Sequence, residues 1–400
     1  MMSKRHLSML SAGCAAVLGM VIAMAMGVAP AAAGEPLKIG ASISTTGTYS
    51  KPGKYTQEGY LLWEKHVNER GGLLGRPVKM VIYDDRSEPA TAVKLYEKLI
   101  TEDKVDMVVG PYSRPITNAV SVVSEKHKKL MVASLAATTS IWERGFKYLF
   151  MTISPAEVYL EGAIDIAAQK GLKTVAIINE DTLFSKAAAS GAGKLAEQKG
   201  MKVVFREAYP KGTSDFSALL IKIKALNPDV LLGGTYFDDA VAITRQMKVL
   251  DVNPKIYGVT VGGDLPEFYD LLKKTADYVY GSTQWEPSLP FPGIKEFVES
   301  YKKMWGHDPQ YHSAAGYNGP LILEKAVREA GSLDPDKLRG VLLKMKTTTM
   351  FGDYEVDERG FQIGHKMVLL QWMDGKRVTV WPKPVAQREP VFPTPPWSKR

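Results

Sequence analysis

Leu37-Lys38-Ile39-Gly40-Ala41-Ser42-Ile43-Ser44 runs into Thr45-Thr46-Gly47-Thr48-Tyr49 and then into an amphipathic stretch over Tyr55–Arg70. The first segment reads as a strand, the second as a Thr/Gly loop and the third as a helix. The alternation continues along the chain. Val78–Asp84 is a strand, and Val93, Tyr96 and Ile100 recur at helical spacing after it. Met107–Val109, Leu130–Ser134 and Tyr148–Thr152 are strand-like, with a helix over Ile116–Lys128. A second series follows, with strands at Thr174–Asn179, Lys202–Ala208, Val230–Gly233 and Lys255–Gly258. Helices over Leu183–Lys199, Phe216–Leu226 and Phe237–Leu250 separate them.

Repeated strand–helix units imply parallel sheets with helices on both faces, and two series imply two doubly wound α/β lobes. An internal echo links them. Asp106-Met-Val-Val-Gly110 and Asp229-Val-Leu-Leu-Gly233 each precede a helix, with Tyr112 and Tyr236 two and three residues on. Ligands of open α/β sheets sit beyond the carboxyl ends of the strands, so these two loops are placed to face each other across a cleft. Helices over Ile294–Trp305, Tyr311–Ala330 and Pro335–Met345 come next, then short strands at Tyr354–Val356, Val368–Trp372 and Val378–Trp381. Pro382–Arg400 is rich in proline and is expected to be extended or loosely ordered.

Upstream of the first strand, Lys4 and Arg5 precede an apolar run over Leu7–Val28 that ends in Ala31-Ala32-Ala33. This is the pattern of a cleavable export signal occupying residues 1–33, which puts the mature chain outside the cytoplasm, in the periplasm. The only cysteine, Cys14, lies inside the apolar run, so the mature chain has no thiol chemistry. The chain's 400 residues suit two domains, each able to bury a core. Its 51 Lys and Arg against 43 acids give +8, which falls to +6 without Lys4 and Arg5. The basic residues are scattered among acids and form no stripe, which argues against nucleic acid as a partner.

Catalytic and cofactor patterns are missing or in the wrong context. Gly71-Gly72-Leu73-Leu74-Gly75 closes a helix and precedes a strand, the reverse of a phosphate loop. Gly191-Ala192-Gly193-Lys194 sits in mid-helix and lacks the following Ser or Thr. His66, His127, His307, His312 and His365 have no metal-ligand spacing and read as solvated or hydrogen-bonded. The pairs Asp84-Asp85 and Asp238-Asp239 should point apart, and no Gly-x-Ser-x-Gly elbow occurs. Binding, with no cofactor, no metal and no enzyme activity, is the expectation.

Four segments resemble one family along nearly the whole mature chain. They are Leu37–Gly47, Gly71–Asp85 followed by Pro89, Asp215-Phe-Ser-Ala-Leu219, and Phe351-Gly-Asp-Tyr-Glu-Val-Asp-Glu-Arg-Gly360. The family is that of periplasmic solute-binding proteins of ABC transporters, of the leucine/isoleucine/valine-binding type. The resemblance implies a type I periplasmic-binding fold, with two Rossmann-like lobes joined by a three-strand hinge. It implies a monomer that closes on a small solute and delivers it to a membrane permease. By position, lobe one spans 35–152 plus 285–348 and lobe two 153–284 plus 349–385, leaving 386–400 as a tail. The crossings then fall near Thr152–Ser154, Thr283–Trp285 and Thr348–Gly352.

The resemblance also suggests a site. In the family's amino-acid binders a Ser/Thr pair and nearby amides hold the ligand carboxylate, and the matching places here are Tyr112-Ser113 and Ala137-Thr138. Both precede helix starts, where exposed N–H groups receive anions, and where Ser113 and Thr138 could equally act as caps. Tyr49, Phe184 and Tyr236 fall where the family places aromatic walls. Two departures stand out. The acid that neutralises a ligand ammonium should follow Gly258, but Val259-Thr260-Val261 stands there, with Asp264 as a substitute after a loop shift. Arg114 occupies the anion loop, either in solvent or as a bidentate carboxylate contact. The solute is therefore expected to be a branched-chain-type amino acid or a related small carboxylate. Alternatives are an aromatic or other organic acid lacking an amine, or service as a ligand-sensing subunit of a membrane receptor.

Overall fold

The computed structural model describes residues 34–400; the leader with Cys14 lies outside the described residues. The first lobe is built on β1 (Leu37–Ile43), α1 (Ser50–Glu69), β2 (Val78–Asp84), α2 (Pro89–Thr101), β3 (Met107–Val109), α3 (Arg114–Lys126), β4 (Met131–Ala133) and β5 (Leu149–Met151). The second has α4 (Glu161–Gln169), β6 (Thr174–Glu180), α5 (Leu183–Gln198), β7 (Lys202–Tyr209), α6 (Ser217–Leu226), β8 (Val230–Gly234), α7 (Phe237–Val249), β9 (Ile256–Val259), α8 (Pro266–Leu272) and β10 (Tyr280–Thr283). Then follow α9 (Ile294–Trp305), α10 (Tyr311–Ala330), α11 (Pro335–Leu342), the hairpin β11 (Thr347–Thr349) and β12 (Gly352–Tyr354), and finally β13 (Val368–Met373) and β14 (Lys376–Trp381).

Both expected sheets form, and they share one topology. Sheet one runs β2-β1-β3-β4-β5, all parallel. Sheet two runs β7-β6-β8-β9-β10 in the same order and also parallel, with β13 and β14 added antiparallel at its edge. In each sheet the strand order reverses beside its first strand, and the crevice at that switch point is where such sheets bind ligands. The sequence echo has a shared physical cause. Asp106 accepts from the Lys38 amide at 2.8 Å and Asp229 from the Lys173 amide at 2.9 Å, so each carboxylate pins the start of a neighbouring strand.

Helix α1 starts five residues before the expected Tyr55, because Pro52 in its first turn needs no N–H partner there. It crosses α10 at glycine contacts. A Cβ on Gly59 would lie 2.1 Å from the Ser313 carbonyl, and one on Gly316 2.4 Å from that of Thr56. That closeness lets α10, buried nearly all round over its first ten residues, fill the first lobe's core and carry its N-terminus to the cleft.

The segments that follow β5 and β10, where the first two crossings are expected, are bonded together. The Ser154 amide donates to Gln284 Oε1 at 2.9 Å, and Gln284 Nε2 returns a bond to the Ser154 carbonyl at 3.2 Å. At the expected third crossing, 348–352, the chain instead turns back on itself as the β11–β12 hairpin. The bonds to the other crossings come later, from Gln362 to the Thr152 carbonyl and from His365 Nε2 to the Gln284 carbonyl at 3.0 Å. The tail is not loose either. Trp397 Nε1 donates to the Val252 carbonyl at 2.9 Å, and Thr394 bonds the Lys255 carbonyl through both its amide and its hydroxyl.

Burial at the hinge pushes the His365 imidazole down to about 4, against the 6.5 of an unfolded chain. A depressed histidine adds stability that is complete above pH 6.5 and is lost as the pH falls toward 4. Urea unfolding at pH 7.5 and pH 4.5 should therefore show His365→Gln losing about 2–3 kcal/mol less than wild type between the two pH values. Equal losses would remove His365 from the acid sensitivity.

Candidate functional site

The residues expected at the site sit on loops flanking the two switch points. Tyr49 follows β1 and Tyr112-Ser113-Arg114 follows β3; Phe184 follows β6 and Tyr236 follows β8. The loop carrying Tyr49 is fixed by Asp85. Ser42 Oγ and Ser44 Oγ donate to its two oxygens at 2.8 and 2.5 Å, and Ser87 Oγ, one turn on, receives the Tyr49 amide at 3.0 Å. Asp84 turns the other way, toward the Thr45 amide, so the two acids point apart as expected. Gly53 allows the close approach, since a Cβ there would fall 1.9 Å from the Ser44 carbonyl.

The two glycine–tyrosine loops meet across the cleft through Tyr49. Its ring lies 5.8 Å from Tyr112 and 5.2 Å from Tyr236 between centroids. The aromatic row continues from Tyr236 to Phe184 at 5.6 Å and from Phe184 to Tyr159 at 5.0 Å. In the other direction it runs from Tyr112 to His312 at 5.4 Å and on to Tyr311 at 3.8 Å. Such rings present large apolar faces with polar tips.

Arg114 is 0 % exposed, so its solvent alternative is overturned. Its guanidinium stacks 3.7 Å above the Phe184 ring, and one terminal nitrogen donates to the Tyr159 hydroxyl at 2.9 Å. Nε and Nη1 have no partner among the described residues, and no carboxylate there pairs with Arg114. A guanidinium cannot shed its charge, so these two buried donors call for acceptors, and the Tyr236 hydroxyl lies close enough to be stabilised by the same cation.

Further buried polar atoms have no partner among the described residues: the hydroxyls of Ser113, Thr138, Tyr112, Tyr236 and Tyr311, and Asp264 Oδ2. The capping alternative for Ser113 and Thr138 fails, because neither side chain bonds a helix amide. Ser113 also holds φ +81° and ψ 148°, backbone that suits glycine, which keeps its hydroxyl in the crevice at a cost of roughly 1–3 kcal/mol. Ala137 is buried and its carbonyl accepts from Ala156, at the first crossing. Thr260 is different. Its hydroxyl accepts from the Thr235 amide and donates to the Thr235 carbonyl, both at 2.8 Å, so it ties β8 to β9 and has no hydrogen left to donate.

Burial pushes the Asp264 carboxyl up to about 7, with Arg377 opposing, and the Tyr236 phenol up to about 12. His312 is held well below its ordinary value, first by burial and then by the Arg114 charge. It breaks the expectation set for the histidines. His66, His127 and His365 have hydrogen-bond partners, while both His312 nitrogens are buried and unpartnered among the described residues. Tyr159, Tyr311 and His312 escaped the sequence reading. Only the position of Tyr311-His312 at the start of a helix after Gln310 signalled them.

The mouth is latched between lobes. Tyr55 donates to Glu267 at 3.1 Å, Arg377 bonds both Gln310 and the Asp264 carbonyl, and the Lys51 ammonium covers the Phe237 ring at 3.9 Å. Outside it lies a depression of about 330 Å³ lined by Tyr49, Pro115, Thr182 and Lys211. Larger depressions, about 490 Å³ each, lie on the outer face of lobe one among Lys65, Arg70, Glu296 and Arg328, away from these converging groups.

Two parallel α/β sheets of one topology that meet over a cluster of buried aromatic rings and unpartnered polar atoms make the architecture of a solute-binding protein. Residues 36–377 match the periplasmic binding protein family, and the chain belongs to it. It is 26% identical over 349 residues to Leu/Ile/Val-binding protein homolog 7 of Brucella suis, covering 82% of this chain and 87% of that one. It is 26% identical over 323 residues to the leucine-, isoleucine-, valine-, threonine- and alanine-binding protein of Pseudomonas aeruginosa, covering 78% and 84%. Among solved structures, the leucine-binding protein LivK of Thermotoga maritima superposes with a TM-score of 0.78 at 24% identity, over 86% of this chain and 97% of that one. A solute-binding protein of R. palustris in complex with 4-hydroxybenzoate superposes with a TM-score of 0.75 at 26% identity, over 86% and 95%. The chain is thus the solute-binding component of an ABC importer, of a family that binds rather than transforms its ligand.

Replacing Ser113 by glycine separates strain from binding. Ser113→Gly should melt no lower than wild type without ligand, and up to about 2 °C higher, while its affinity for the solute falls. Thermal melts with and without ligand check both halves, and a lower ligand-free melting point would show that Ser113 carries no strain.

Proposed function

We propose that the captured solute is a small aromatic carboxylate without an ammonium group, taken up in the periplasm by a monomer and handed to the permease. The carrying observation is Arg114, a fully buried cation with two free donors and an aromatic ring beneath it. A carboxylate bound to Nε and Nη1 would make the bidentate pair that guanidinium geometry favours. The rings of Tyr49, Tyr112, Phe184 and Tyr236 cluster beside that anchor and would supply apolar faces to a flat solute. The side chain at the family's ammonium position, Thr260, is spent on Thr235. The R. palustris protein with 4-hydroxybenzoate supports the same class of ligand.

A second reading is a branched-chain-type amino acid, in line with the names of the Brucella and Pseudomonas relatives. The observation favouring it is Asp264, whose free Oδ2 could take an ammonium once ionised. Burial opposes that ionisation, and an unpaired buried ammonium would cost several kcal/mol, as an order of magnitude.

Calorimetric titration of the refolded mature protein against leucine, isoleucine, valine, an aromatic amino acid, benzoate and a cinnamate separates the two. Tight one-to-one binding of the acids alone supports the proposal, and tight binding of an amino acid alone overturns it. Arg114→Ala should weaken the bound acid at least tenfold, with Arg114→Lys in between because an ammonium offers no fork. Unchanged affinity in Arg114→Ala would take Arg114 out of the site.

A further inference from the structure

The cleft has a second polar pole, distinct from the Arg114 anchor. His312 is 0 % exposed, and neither ring nitrogen has a partner among the described residues. A neutral imidazole carries one donor and one acceptor, so the site demands both in return. Burial and the Arg114 charge keep the ring neutral. The Tyr311 ring lies against it at 3.8 Å and Tyr112 at 5.4 Å, and both hydroxyls are likewise unpartnered. Both phenols are raised mainly by burial, with the Asp264 carboxyl among the charges that act on them. Arg377 bonds the Asp264 main-chain carbonyl at 2.8 Å, and Oδ2 has no partner among the described residues.

The chemistry of this pole is donor and acceptor without net charge. A carboxylate finds no cation here, since Arg114 is taken by the other end of the solute. An ammonium needs Asp264 ionised, which its burial opposes. A hydroxyl both donates and accepts, and it satisfies the imidazole without moving a charge into the interior.

Resting on the aromatic-carboxylate reading above, we propose that this pole receives a hydroxyl group, so that the solute is a hydroxylated aromatic acid, with His312 distinguishing it from the unsubstituted acid. A site built to hydrogen-bond a hydroxyl rejects the analogue lacking it strongly, because its own buried groups are then left unpaired.

The test is titration of the refolded mature chain with benzoate, 3-hydroxybenzoate, 4-hydroxybenzoate and L-leucine. In wild type the better hydroxybenzoate should bind at least tenfold tighter than benzoate. In His312→Phe the gap should close to within threefold, through weaker binding of the hydroxybenzoate, tighter binding of benzoate, or both. His312→Gln, which restores a donor and an acceptor, should keep the preference; a merely structural loss would not be rescued. If His312→Phe does not fold, as judged by circular dichroism, the wild-type ratio and His312→Leu decide. Benzoate binding as tightly as both hydroxybenzoates, or a gap that survives in the folded variant, overturns the inference and leaves the carboxylate reading intact. Failure of all three acids to bind overturns the carboxylate reading itself. Leucine binding that is lost in Asp264→Asn would assign the pole to an ammonium and overturn both.

Discussion

The structure depends on a guanidinium in the wrong solvent. Arg114 starts α3 in the first lobe, yet its planar face rests on Phe184 and one nitrogen bonds Tyr159, both on the second. Closing the lobes therefore takes a permanent cation out of water, at a cost of several kcal/mol. Stacking on rings and one phenol bond offset part of that cost, and an anion offsets the rest. On the carboxylate reading, solute capture and closure become one event, because an anion would interact far more favourably with Arg114 in the closed arrangement than in an open one. Such a differential affinity is the only way a ligand can shift a conformational equilibrium.

Everything else serves to bring that cation and its surroundings to one place. The shared strand order gives each lobe one switch point, and the four loops that flank the two switch points carry Tyr49, Tyr112 to Arg114, Phe184 and Tyr236. The Asp85 bonds to Ser42 and Ser44 make the first loop an extension of the sheet, so its aromatic wall moves with the lobe as a rigid body. The crossings, by contrast, are held to each other by Ser154, Gln284, Gln362 and His365 more than to either sheet. That separation of rigid lobes from a mutually bonded hinge is what a hinge-type closure requires.

Periodicity exposed most of the architecture, because buried parallel strands read as short β-branched runs and half-buried helices as spaced apolar residues. It failed where tertiary contact overrides local pattern. The hairpin at 347–354 looked like a crossing because a short strand carries no direction. The tail looked loose because Trp397 and Thr394 find their partners some 140 residues away. At the site, loop positions identified Tyr49, Phe184 and Tyr236, but Arg114 had two readings that only burial separates. Thr260, expected at the site, spends its hydroxyl on Thr235, a partner invisible until β8 and β9 lie side by side. His312 had only its place near a helix start to mark it for the site: on a helix its pattern is that of a core residue, and its significance lies in the partners it lacks.

The two kinds of group in the cleft divide the labour of recognition. Rings that touch one another every 4–6 Å supply apolar area, which raises affinity for any flat solute and discriminates weakly. The unpartnered polar atoms discriminate by refusal, because a solute that leaves one of them unmatched inherits its desolvation cost. Such a cleft tolerates changes in ring shape better than the loss of a single polar substituent. A branched aliphatic side chain would cover the rings but leave the His312 end unmatched, whereas a flat acid with one hydroxyl matches both ends without asking the interior to hold a second charge.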